Sequence, residues 1–228
     1  MLFSFETWQI TLFSISVGLA STLLILPFGI ALAWLFARKQ WPLKSGVETL
    51  VLLPLVMPPV STGLILLKIF GRRSPVGRWL YESGIEIVFN WKGVLIAMAV
   101  MSFPLLFRSA RTSFAEVNPR LEQIAATLGA STLKIFFVIT VPLAYRGIVA
   151  GALLAFSRAL GEFGATITFV SNIPGETQTL PLAIYTFTQV PGGDAQALRL
   201  SAIAVVLSIA ALVASEALAR RARAAQAS

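Results

Sequence analysis

The sequence predicts an all-α membrane protein, a polytopic bundle of about five transmembrane helices, and three observations carry that reading. Hydrophobic residues make up 57% of the 228 and charged residues only 12%, with a mean hydropathy of +0.82, which excludes an ordinary soluble domain. From Thr7 to Ala37 there is no charged residue, a run longer than the ~20 apolar residues that cross a bilayer. Comparable apolar runs then recur along the chain, separated by loops that carry lysine and arginine.

Hydropathy places spans at about 8–37, 48–70, 91–114, 137–165 and 197–219. Arg38 and Lys39 follow the first run, whereas a cleaved signal peptide has its basic stretch in front of a shorter apolar region, so a retained span is expected. The second span contains Leu53-Pro54-Leu55-Val56-Met57-Pro58-Pro59. Each proline removes a backbone donor, so this cluster predicts a broken helix, and broken helices in membranes line pathways. Pro58 and Pro59 are therefore candidate pathway or gate residues. Pro27 and Pro104 stand alone in their spans, where neighbouring helices can satisfy the freed carbonyls. In the fourth span Arg158 and Glu162 lie four apart, a spacing that predicts a shared helix face and an ion pair. Counted from Pro142, Arg158 falls ~24 Å along that helix, near the outer surface. The uncharged stretch 177–193 is bracketed by Pro181 and Pro191, and the roughly nine residues between them reach about 14 Å as helix. An interfacial or half-inserted segment is expected there. No repeat of 20–50 residues is visible.

Charge sets the expected orientation. Arg38, Lys39 and Lys44 lie in the first loop, and Arg108, Arg111, Arg120, Lys134 and Arg146 in or beside the third. Arg220, Arg221 and Arg223 lie in the tail, and five spans put all three groups on one side, the cytoplasm by the positive-inside rule. The N-terminus is then outside and the C-terminus cytoplasmic. Lys68, Arg72, Arg73, Arg78 and Lys92 fall outside and break the pattern. The net charge of +8 is read as contact with lipid headgroups, not nucleic acid. With no histidine and no cysteine, no metal site or disulfide framework is expected.

The loop 116–142 carries the most information. Asn118-Pro119 is a helix start, a capping side chain followed by proline at the first helical position. Glu122 suits the first turn, Ala125 and Ala126 give a smooth face, and Gly129 ends the helix in the left-handed conformation. A helix of two to three turns is too short to stand alone, so something must hold it. This loop resembles that of the membrane subunits of binding-protein-dependent ABC importers: Glu-Ala-Ala, three residues, Gly, nine residues, Ile-x-Leu-Pro. Gly129, Ile139 and Pro142 fall at that spacing, and Ala125 takes the second alanine position. Gln123 stands where the glutamate is usual, with Glu122 just before it, Ile124 replaces an alanine and Val141 a leucine. The resemblance implies that Glu122, Gln123, Ala125, Ala126, Gly129, Ile139 and Pro142 couple the chain to an ATP-hydrolysing subunit.

Further along, Phe156-Ser157-Arg158-Ala159-Leu160-Gly161-Glu162-Phe163-Gly164-Ala165 resembles the stretch shared by sulfate, tungstate and molybdate permeases. The segment 166–177, with Gly71-Arg72-Arg73 and Met101-Ser102-Phe103-Pro104, is most similar to bacterial molybdate permeases. The resemblance implies one domain over 1–228, the type I importer transmembrane fold, and a multi-pass place in a bacterial inner membrane. It implies as partners a second copy, two ATP-binding cassette subunits and a periplasmic molybdate-binding protein. ATP and Mg would act in the partner, with no cofactor on this chain and no catalysis by it. Sulfate and tungstate remain alternative cargoes. An ion-coupled secondary transporter fits less well, because no repeat and almost no mid-span carboxylate is present. Arg158, Glu162, Phe163, Gly164, Thr166 and Thr168 join the prolines as candidate pathway residues; the Arg158–Glu162 pair either attracts the anion or locks helices together. Arg72, Arg73 and Arg78 either contact headgroups or dock the binding protein.

Overall fold

The computed structural model describes residues 5–227, with side chains as far as Ala217, and among them every regular element is helical. Arg220, Arg221 and Arg223 thus lie beyond the described side chains. The first uncharged run forms α1, Phe5–Arg38, which continues through Pro27. Its 34 residues reach about 51 Å, more than the ~30 Å hydrocarbon core. The face of α1 turned inward is mostly small or hydroxylated, with Thr11, Ser14, Gly18, Ser21, Thr22, Gly29 and Ala33 between Ile10, Val17, Ile25 and Phe36, while Leu12, Leu23, Leu24 and Phe28 are exposed. That is inside-out for water and ordinary for lipid, where small residues let helices approach. The buried hydroxyls bond to their own helix: Thr11 Oγ1 donates to Thr7 O at 2.7 Å and Thr22 Oγ1 to Gly18 O at 2.9 Å.

The proline cluster breaks the second span as expected. Helix α2, Lys44–Val56, keeps Pro54 inside it, and α3, Pro59–Phe70, leaves it at a bend of 114° around Met57–Pro58. A short surface helix α4, Pro75–Glu82, precedes α5, Trp91–Glu116, the most buried of the long helices. The loop after α5 holds α6, Pro119–Thr127, and α7, Thr132–Ile135, where sequence pattern predicted only the first. A π-helical turn, Phe136–Thr140, then leads into α8, Val141–Leu160. Helices α9, Gly164–Val170, α10, Leu180–Thr188, and α11, Asp194–Ala227, complete the chain.

Among the described residues four helices, counting Thr132–Leu160 as one, are long and apolar enough to cross a bilayer, and the bent α2–α3 pair taken as one span is a fifth. The stretch 177–193 yields only the nine-residue α10, too short to cross. One boundary needs correction. The fourth span does not run on to 165: α8 stops at Leu160 with Gly161 as its cap, and Phe163 leaves helical geometry at φ −128°. Arg158 and Glu162 do pair, at 2.7 Å, but across the end of the helix and not along one continuous face. The cause is local. Glu162 Oε1 accepts the Ala165 N–H at 2.8 Å, so its side chain starts the next helix.

The core is a cluster in which α5, α1 and α8 pack on one another, with α11 beyond α8 and α3–α9 closing one end. Between α5 and α8 the backbones come close through small residues in register. A Cβ on Gly151 would sit 2.7 Å from Ser109 Cβ, one on Gly147 would overlap Ser113, and Ser109 Oγ donates to Gly147 O at 2.9 Å. Near the Arg38 end, Phe36, Phe107 and Phe114 are fully buried, and Phe36 meets Phe107 edge-on at 5.2 Å. At the other end the N-terminal amide of α10 is satisfied from α1: Leu180 N–H donates to Ser14 Oγ at 2.8 Å.

Candidate functional site

The predicted loop helix α6 is built by its own ends. Asn118 Oδ1 accepts the Arg120 N–H at 3.0 Å, and Pro119 occupies the first turn, where its missing donor is harmless. At the far end Gly129 has φ +82°; its N–H reaches Ala126 O and the Ala130 N–H reaches Ala125 O, both at 3.0 Å. This pair of bonds is a Schellman stop, and nothing lies within 4 Å of where a Cβ on Gly129 would stand, so backbone conformation alone selects the glycine. Between these ends α6 buries no residue. Ile124 is 58% exposed and Leu128 83%, an apolar surface left largely open among the described residues.

The candidate coupling residues fall around two adjoining hollows. Ala125, Gly129 and Ile139 line one of about 290 Å³, with Leu128 and Val138. Glu122, Gln123 and Ala126 line another of about 330 Å³, with Arg38 and Thr140. Pro142 stands apart, exposed in the first turn of α8. Glu122 differs from the rest, because it points into the protein. Its Oε1 accepts from Arg38 Nε at 3.1 Å, Arg38 Nη2 at 3.0 Å and Thr140 Oγ1 at 2.7 Å. Arg38 Nη2 also donates to Val117 O at 2.9 Å.

Of the candidate pathway residues, Pro58, Pro59, Gly164 and Thr168 come together at the break in the second span. Helix α9 packs along the first turns of α3 so closely that a Cβ on Gly164 would lie 2.7 Å from Pro59 Cβ, and one on Gly63 2.9 Å from Ala165 Cα. Pro59 and Gly164 thus meet, with Thr168 beside Gly63 and Pro58 exposed at the bend. Phe163 packs on Tyr185 of α10, ring centres 5.3 Å apart. Glu162 and Thr166 are not open to any passage within this chain. Glu162 is 1% exposed, and the Thr166 hydroxyl is buried and donates back to Glu162 O and Phe163 O. The Thr168 hydroxyl likewise bonds Gly164 O, at 2.9 Å. Two features at this end escaped sequence reasoning. The Thr62 hydroxyl is buried without a partner among the described residues, and Ser171 takes φ 64°, a strained value for a residue with a side chain. The Thr177 hydroxyl steadies that turn by donating to Ser171 O at 3.2 Å and accepting the Ile173 N–H at 2.9 Å.

The three loop arginines do not act alike. Arg72 is committed, 2.6 Å from Glu86 Oε1 and 4.0 Å from the centre of the Tyr81 ring. Arg73 and Arg78 are exposed. Ser74 between them caps α4 by accepting the Gly77 N–H at 2.8 Å.

Residues 25–224 match the family described as "Binding-protein-dependent transport system inner membrane component". The chain belongs to that family. It is therefore a multi-pass inner-membrane component. This transport component is 49% identical over 224 residues to the molybdenum transport system permease protein ModB of Escherichia coli K12, covering 98% of both chains. It is 49% identical over 209 residues to the protein of the same name in Haemophilus influenzae, covering 91% of each. The sulfate transport system permease protein CysT of Escherichia coli K12 is 34% identical over 158 residues, 69% of this chain and 57% of that one. Among solved structures, a membrane chain of the inward-facing MetNI methionine ABC transporter aligns with a TM-score of 0.63 at 17% identity, over 97% and 99% of the two chains. A bacterial alginate ABC transporter, in complex with its pentasaccharide-bound periplasmic protein, gives 0.67 at 17%, over 98% and 80%. At those identities the likeness establishes the fold, the type I ABC importer transmembrane domain.

Proposed function

We propose that this chain is the membrane-spanning subunit of a molybdate importer, working as a homodimer with two ATP-hydrolysing subunits and an external molybdate-binding protein. One observation carries the mechanism: α6 is finished at both ends by its own caps, yet its Ile124–Leu128 surface stays largely exposed among the described residues. Such a surface suits a groove on a soluble subunit. Closure of the ATPase pair, with ATP and Mg bound there, then moves α6, and the chain itself performs no catalysis. The substrate class rests on the likeness to ModB.

The cargo is a tetrahedral dianion, and its route must offer donors that hold it weakly enough to release. The seam of α3 and α9 suits a gate. Pro58 and Pro59 set its bend, Gly164 lets the two helices touch, and Phe163 and Thr168 flank the contact. Glu162 and Arg158 take the locking role, since the buried carboxylate holds both the arginine and the start of α9. In this reading Arg73 and Arg78 meet acidic residues of the binding protein, while Arg72 shapes the loop that presents them. The N-terminus faces the periplasm and the C-terminus the cytoplasm. Reporters fused after Ser45 and Ser228 therefore read cytoplasmic, and reporters near Ser83 and Gly192 read periplasmic; the opposite result at Ser228 overturns the orientation.

The deciding experiment is ATP hydrolysis by the reconstituted complex, with binding protein loaded with molybdate, tungstate or sulfate. Molybdate is expected to stimulate most. The 34% identity to a sulfate permease makes sulfate the second reading, and stimulation by sulfate above molybdate would select it.

A further inference from the structure

The contacts of Glu122 point to a role different from its neighbours on α6. Three elements meet at one carboxylate oxygen: the last residue of α1 through Arg38, the loop helix through Glu122 itself, and the π-helical turn through Thr140. Arg38 also holds Val117 O, the residue at the C-terminal cap of α5, so four elements are tied at this point. The side chains of Arg38 and Glu122 are 12% and 18% exposed, and Thr140 is fully buried. Charge-assisted bonds in so sheltered a place are stronger and less screened than those of a surface pair. The chain continues covalently from α5 into α6, and from α7 through the π turn into α8, but α1 has no backbone link to the loop. Among the described residues Arg38 joins it by an ion pair to Glu122, beside Trp34, which packs edge-on against Phe136 of the π turn at 5.4 Å.

We infer that Arg38 and Glu122 form a strut that makes α1 move with the coupling helix, so that ATP-driven displacement of α6 reaches the membrane through α1 as well as through α5 and α8. Both are positioning residues: Glu122 serves transport by facing inward, and the contact with the ATPase subunit falls to Gln123, Ile124 and Leu128. The π turn is the yielding part of the assembly. Its hydrogen bonds close over five residues, with the Val141 N–H reaching Phe136 O, and such turns are rare and concentrated at functional sites. Thr140 stands at its end and ties it to the strut.

This inference rests on the importer reading, and its test separates the two. The complete complex is reconstituted in vesicles with loaded binding protein, and oxyanion taken up per ATP hydrolysed is measured for the parent, Arg38→Gln, Thr140→Val and Arg38→Glu/Glu122→Arg. Arg38→Gln is expected to lower uptake per ATP roughly tenfold, toward the lower end of what coupling between distant sites amounts to. Thr140→Val lowers it less, because Arg38 and Glu122 still meet. The charge-exchanged pair recovers part of the loss, which a mere packing defect does not. An unchanged ratio in Arg38→Gln overturns the strut, and so does a loss explained wholly by release of the ATPase subunits from the purified complex. A parent complex that answers to sulfate but not molybdate defeats only the substrate assignment, and the same ratio is then read with sulfate.

Discussion

The two ends of the molecule solve opposite problems. At the Arg38 end the chain builds a short helix, caps both of its termini and leaves its apolar side uncovered. At the α3–α9 end it breaks two helices and then packs the segments that follow the breaks against each other, with Gly63 and Gly164 allowing backbone contact. The first end is finished locally and open to a partner. The second is unfinished locally and closed only by residues a hundred positions away. The difference teaches where each kind of damage will register: a substitution on α6 changes communication with a soluble subunit, and one in the seam changes the folded state itself.

The sharpest way to break this contrast is Gly129→Asp. At φ +82° a side chain costs on the order of 1 kcal/mol, and the added negative charge sits at the unfavourable end of a helix. Uptake is expected to disappear while the amount of inserted permease stays near that of the parent, as measured by membrane immunoblot and transport together. Normal uptake at normal expression ends the coupling role of α6. The seam should answer the other way. Gly63→Leu forces a side chain into Ala165, and overpacking of this kind costs about 1–3 kcal/mol. Thermal unfolding in detergent should shift down and uptake fall in proportion to folded protein. Glu162→Gln is the milder test of the same end. It strips the buried partner from Arg158 but leaves an oxygen to accept the Ala165 N–H, for a loss of about 2 kcal/mol in unfolding measurements. A seam variant that folds as well as the parent and still fails to transport would break the division and leave the seam acting as a gate alone. The smallest effect is expected at the loop arginines. Arg73→Gln with Arg78→Gln should weaken the apparent affinity for loaded binding protein a few-fold, most at low ionic strength, while Arg72→Gln acts through the loop it braces. Equal effects from all three erase the distinction drawn between Arg72 and the others.

What the sequence made legible follows the same line. Asn118-Pro119 and Gly129 could be read directly, since capping and a left-handed glycine are decided within five or six residues. The broken second span was readable because Pro58 and Pro59 act on their own backbone, whereas Pro54 stays inside α2. The end of α8 was not, because Arg158 and Glu162 have the spacing of a helical pair and only the capture of the Ala165 N–H reveals the turn. Arg38 with Glu122 lay out of reach, 84 positions apart with nothing in either neighbourhood to announce the other. The close contact of α5 and α8 was readable in principle, as Gly147 and Gly151 opposite Ser109 and Ser113, but such small residues are common enough in these spans that the pattern does not stand out.

The bond from Leu180 N–H to Ser14 Oγ has a consequence for how the protein is made. The two residues are 166 positions apart, so the ribosome delivers the acceptor long before the donor. An amide left unpaired in hydrocarbon costs several kcal/mol, and α10 has too few turns to be recognised as a span of its own. Its amide can gain this partner only after α1 has been made, so the half-length helix leans for its first bond on the first span of the chain.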